Sequence, residues 1–316
     1  MRNARFDLRF YRLFALLAGL VAIVGALAVG VNRQLILRHE TMLAHALPVA
    51  DISSRLQASA DMTEALTDGI HQARNAAELA RAATAAEAAL AQLLAQYAEL
   101  ARVLGTGQDL PGRIGLQDHL AGMRQAAGRT LALAEERRAS AGALARSGDA
   151  LSGLMGAQTD LARLRVTATI ADLHAAPDAA ALDRLADDAF FAFERTEELA
   201  RSVELLRITA AQIAAAPDLE AVSGGQGRMA ALLAEAGPRV DYLPTAPARA
   251  ALRTGLAEYH GPDLVTTSRD HIRAQIALDD SLIRFRAQVA AMQSATHQLI
   301  TTAQQDNLSR IAALAS

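Results

Sequence analysis

Apolar residues are arranged in two ways along this chain. From Leu13 to Val31 they run without a charged residue. A helix of that length at about 1.5 Å per residue spans roughly 28 Å, the thickness of a bilayer core. Beyond residue 47 the apolar residues become periodic. Ile52, Leu56, Ser59, Thr63, Leu66, Ile70, Ala73 and Ala77 alternate steps of four and three, the heptad spacing of a bundle helix. Leu79, Ala83, Ala86, Leu90, Leu93, Tyr97, Leu100 and Leu104 repeat it. Either the two seams form a hairpin turning near Asn75 or they belong to one longer helix.

The break Gly105–Gly112 ends this region. A third helix is predicted from Ile114 towards Arg146, with Leu116, Leu120, Met123, Ala127 and Leu131 on a less strict seam. It either turns or continues at Gly148 and Gly153. Leu154–Leu173 is again helical, and Ala175-Ala176-Pro177-Asp178 ends it, with Asp178 placed to cap the next helix. That helix carries Leu182, Leu185, Ala189, Ala192, Thr196, Leu199, Val203, Leu206, Ala210 and Ile213 and stops at Pro217. Five of the eight prolines lie between Pro217 and Pro262. Short helices around Arg228–Glu235 and Ala248–Tyr259 are predicted there, joined by loops, with Ser223–Arg228 (SGGQGR) as a flexible turn. Asp263–Ala315 is the longest unbroken stretch, roughly 75–80 Å as one helix. Its seam is Leu278, Leu282, Phe285, Val289, Met292, Thr296, Leu299 and Ala303. Segments near Glu78 and Asp218 echo each other weakly at an offset of about 140 residues, as a duplication would.

The flanks of the first run give it a direction. Arg2, Arg5, Arg9 and Arg12 precede it and Arg33 and Arg38 follow it, which places residues 1–12 in the cytoplasm, a membrane span over 13–31 and residues 32–316 outside the membrane. The rival is a cleaved signal peptide ending near Ala26-Leu27-Ala28. Both readings export the remainder. The predicted fold class is therefore all-α: an N-terminal transmembrane helix followed by a helical-bundle region.

Composition narrows the chemistry. There is no Cys, so disulfides and thiolate metal sites are excluded, and a net charge of −3 offers no basic patch for nucleic acid. The eight His (His39, His45, His71, His119, His174, His260, His271, His297) include no pair at the i, i+4 spacing of two metal ligands on one helix face. The glycine-rich SGGQGR lacks the Lys-Ser/Thr of a phosphate loop. No nucleophile–base pair, carboxylate dyad or cofactor fingerprint stands out, so no catalytic residue, cofactor or metal is expected. Phe190, Phe191 and Phe193 gather in one turn, either as core or as a surface facing a partner. Ser59, Thr63 and Thr296 occupy seam positions. They either bond back to their own helices or form a looser layer in which helices shift.

The N-terminal apolar run, Leu47-Pro48 entering a heptad helix, the helix–Ala-Pro-Asp–helix junctions at Ala176 and Ala216, and the long return helix to Ala315 together resemble the periplasmic region of trimethylamine-N-oxide sensor histidine kinases. The resemblance spans roughly residues 1–316. It implies an elongated antiparallel helical-bundle sensor region of two stacked four-helix bundles, and a homodimer anchored in the bacterial inner membrane that recognises a ligand-loaded periplasmic binding protein. The competing readings are the ligand-binding domain of a chemotaxis receptor and a structural exported bundle. The Pro- and Gly-rich stretch is expected to dock the partner through Arg228, Tyr242 and Tyr259, and the last helix to carry the signal out.

Overall fold

The structure is a computed structural model, and it describes residues 24–30, 32–33, 48–104, 113–175, 178–261 and 263–313. The expected membrane span lies largely outside these residues; 24–30 are helical. Among the described residues no helix is long and apolar enough to cross a membrane. The described residues are helical throughout, with short turns between helices. Helix α1 covers 48–71, α2 Ala76–Val103, α3 Arg113–Ala175, α4 Ala179–Asp183, α5 Phe191–Ala214, α6 Leu219–Arg239, α7 Ala246–Tyr259 and α8 Asp263–Ala313. A π-helical segment, Arg184–Phe190, joins α4 to α5, and a 3₁₀ turn, Val240–Tyr242, follows α6.

Short polar signals set these boundaries. The hairpin alternative holds at Asn75. Its Oδ1 accepts from the Glu78 amide at 2.9 Å, and Glu78 in return accepts from the Arg74 amide at 2.9 Å. This reciprocal cap satisfies amides that the first turn of α2 leaves open. Asp178 caps α4 as expected, accepting from the Ala181 amide, and Asp218 caps α6 in the same way at 2.7 Å. Thr245 caps α7, with Pro247 in its first turn. The two weakly similar segments differ in register: Asp218 is itself a cap, whereas Glu78 stands three residues inside its helix.

The chain divides into two compact units. The first holds 48–65 of α1, 87–103 of α2 and 288–313 of α8. Its core is Ile52, Leu56, Ala60, Leu90, Leu93, Leu94, Tyr97, Leu100, Val289 and Met292. The second holds the α1–α2 turn, α3 to α7 and 263–287 of α8. Leu151, Met155, Leu199, Leu206, Ile213, Val222, Leu252 and Leu264 anchor its core.

The structure corrects several boundaries. Helix α3 passes through Gly148 and Gly153 without turning. Leu182 is 55% exposed, and Ala181 is buried in its place. The extra residue of the π-helical turn displaces the buried face upstream by one position. On α1, Thr67 is fully buried while Leu66 is only half-buried. From 217 to 261 the helix expected at Ala248–Tyr259 is present as α7, but the one expected at Arg228–Glu235 extends over Leu219–Arg239 and takes in the expected turn. SGGQGR lies inside α6, where Val222, Gly225, Met229, Leu233 and Ala236 form one buried face. Gly225 is there for proximity: a Cβ on it would stand 2.5 Å from Cγ1 of Ile213 on α5. Pro217 and Pro244 each directly precede a capping residue, so prolines punctuate helices here without unfolding them.

Candidate functional site

The polar seam residues all lie in the first unit. Ser59, Thr63 and Thr296 are all buried. Thr63 Oγ1 donates to the Ser59 carbonyl at 2.7 Å, and Thr296 Oγ1 donates to the Met292 carbonyl at 2.8 Å. Both hydroxyls thus bond back to their own helices, which satisfies them at no cost to the core. Thr296 also shares a hydrogen bond with Tyr97 of α2, a residue the sequence placed on a seam but not in the site. Burial holds the Tyr97 phenol above its ordinary range, and the Thr296 bond partly offsets this, so the phenol stays protonated. The signal in the sequence was a lone aromatic with a polar tip on an Ala/Leu seam. Such a tip must find a partner when buried.

The three residues expected to meet a partner separate. Arg228 is exposed on α6, its guanidinium donating to Gln212 Oε1 at 3.3 Å. Tyr242 is 48% exposed on the 3₁₀ turn. Tyr259 is not on the surface: it is 3% exposed, and its hydroxyl donates to the Leu144 carbonyl at 3.2 Å. Gly148 makes room for it, since a Cβ there would lie 2.6 Å from the phenol oxygen. An apolar ring seated in the core with its hydroxyl satisfied has nothing left to offer a partner.

Two rings of the Phe cluster are exposed where Tyr259 is buried. Phe190 and Phe191 are 47% and 40% exposed. Phe191 and Tyr242 meet edge to face, ring centres 5.6 Å apart at 86°. The Arg195 guanidinium lies 5.0 Å from the Phe191 ring centre and 6.0 Å from that of Tyr242. It is held by Glu198 at 2.7 Å, which also faces Arg239 at 3.5 Å. Arg228, 14 residues before Tyr242 on α6, takes no part in this ring contact.

A cleft of about 870 Å³ opens in the second unit, lined in part by His71, Asp218, Glu220, His271, Ile272 and Asp279. His71 Nε2 pairs with Asp279 Oδ1 at 2.6 Å. His271 is 5% exposed, and its Nδ1 lies 3.2 Å from the Thr130 carbonyl. Burial pushes the His271 imidazole below its ordinary 6.5, and Arg137 and Arg138 add to this against the Thr130 bond. The folded state therefore binds fewer protons than the unfolded chain in the interval just below 6.5. Stability tied to His271 is complete above that value and is lost as pH falls through it. The thermal midpoint should drop between pH 7.5 and 5.5, and His271→Gln should flatten that slope. Glu78 and Glu204, held low by their hydrogen bonds, act only below 4.5 and do not blur the interval. Equal slopes in the two proteins would show that His271 does not titrate on unfolding.

Among the described residues no group of three or more His, Asp or Glu is placed to hold a metal ion.

No family profile and no curated protein matches the sequence. Solved structures do match. The sensor domain of TorS, crystallised in complex with TorT in the presence of TMAO, superposes with a TM-score of 0.67 at 18% identity, covering 83% of this chain and 99% of that one. The TorS sensor domain of the V. parahaemolyticus histidine kinase gives 0.60 at 15% identity, covering 82% and 99%. The chain shares the all-α helical-bundle fold of these histidine-kinase sensor domains.

Proposed function

We propose that this chain is the extracytoplasmic signal-input region of a bacterial transmembrane receptor of the sensor-histidine-kinase type. On this reading it is anchored by residues 13–31, pairs as a homodimer, and reads a ligand-loaded periplasmic binding protein. The observation that carries the reading is the fold match over 83% of the chain to a sensor domain solved with a second protein bound. Helix α8 is the output. A ligand moves such a helix only by the difference in its affinity for two arrangements. The Tyr97–Thr296 hydrogen bond is where a shift of α8 against α2 would exchange a polar contact in place of interdigitated apolar side chains.

The absence of Cys makes the test direct, because introduced cysteines are the sole thiols. Periplasmic extract of the host, with and without its solute-binding proteins, supplies the partner. Recovery of one such protein, repeated with purified components and tighter when it is loaded, is the expected result. Disulfide formation between Cys placed at positions 63 and 296 should then differ between free and bound chain. Unchanged cross-linking with the partner bound would remove the helix-displacement step. The cleft at His271 gives the chemoreceptor reading one specific support. Calorimetric binding of a small molecule to the chain alone, with no protein partner, would favour it.

A further inference from the structure

We infer that the face formed by Phe190, Phe191 and Tyr242 is the docking surface for a protein whose contact patch is apolar and bordered by Lys or Arg. The inference rests on the protein-partner reading above and names where on this chain that partner sits.

Phe190, Phe191 and Tyr242 are each at least 40% exposed. The chain has only seven Phe and four Tyr, so three of its few aromatic rings stand in solvent close together in the second unit. Aromatics with Arg are the usual anchors of protein interfaces. The patch is also preorganised. Arg195 spans the Phe191 and Tyr242 rings and is fixed by Glu198, so docking costs little side-chain entropy. Arg195 Nε is covered and has no oxygen acceptor, as befits a guanidinium committed to ring faces. The π-helical segment Arg184–Phe190 leads directly into the patch, and such segments cluster at functional sites.

Charge selects the occupant. Between residues 183 and 198 the chain carries six carboxylates against Arg184 and Arg195. Asp183, Asp187, Asp188, Glu194 and Glu197 are exposed, whereas Arg195 and Glu198 neutralise each other. An apolar patch on a stretch of net negative charge suits a basic-rimmed partner. A second copy of this chain, meeting the same face in a two-fold contact, would set acid against acid. An anionic membrane surface would be repelled in the same way.

The test uses the full chain in its own host, with a photo-crosslinking amino acid at position 242, 190 or, as control, 228. The expected result is a covalent adduct with a solute-binding protein from 242 and 190. With that protein purified, Phe191→Ala plus Tyr242→Ala should weaken binding at least tenfold. Asp187→Arg plus Asp188→Arg should slow association and reduce its salt dependence. Both pairs are exposed, so an unchanged thermal midpoint certifies that the fold is intact. Adducts to another copy of the chain or to lipid would overturn the inference. Adducts from 228 alone would overturn it while leaving the protein-partner reading standing. No adduct from any of the three positions would remove both.

Discussion

Leu206→Asp should unfold the second unit. Leu206 has no exposed surface and packs in the cluster that joins Val203, Ile213, Val222 and Met229. A carboxylate there has no cationic partner, and the side chain it replaces leaves apolar volume unfilled. Losses above about 4 kcal/mol come from this kind of buried unpaired charge. Since a domain's whole stability is about 5–15 kcal/mol, little or none would remain. Thermal unfolding followed by far-UV circular dichroism should lose one component while a second persists, because the first unit keeps its own core. Arg81→Ala, on an exposed face of α2, should stay within about 0.5 kcal/mol. A single cooperative melt with an unchanged midpoint in Leu206→Asp would refute the assigned core.

The seams that were legible in the sequence are those where burial and hydrophobicity coincide. From Leu79 to Leu100 every predicted seam residue of α2 is buried, and on α8 the run from Leu278 to Thr296 holds in full. The misses share a cause: the buried position is not the most apolar candidate. Thr67 is buried in preference to Leu66 because a four-residue step from Thr63 follows the helix. Ala181 replaces Leu182 because a π-helical turn has no signature in apolar spacing. Tyr259 reads as a surface anchor by residue type, but its pocket depends on Gly148, 111 residues away in the sequence. Of the candidate site, the polar layer was visible as a lapse in the seam. The aromatic face was visible only as three Phe in one turn, because its Tyr242 and Arg195 components meet through the packing of the 3₁₀ turn on α5.

Two glycines two residues apart on α6 should respond in opposite directions. At Gly225 a side chain would collide with Ile213, the contact standing at 2.5 Å for a Cβ alone. Gly225→Val should therefore destabilise the second unit by about 1–3 kcal/mol, the range for overpacking a tight core. Gly227 is exposed and a Cβ on it would meet nothing within 4 Å. Gly227→Ala should stabilise by up to about 1 kcal/mol, because a mid-helix glycine carries the larger entropy loss on folding. Midpoints of urea unfolding measure both. Opposite signs follow only if SGGQGR is helical and one of its faces is pressed against α5; in a solvent-facing flexible turn neither substitution would find a neighbour to meet. Ile213→Ala opens the space that Gly225→Val requires, so the double variant should lose less than the two single variants added together. Strict additivity would show that Gly225 and Ile213 do not meet, and the close approach of α5 and α6 would have to be abandoned.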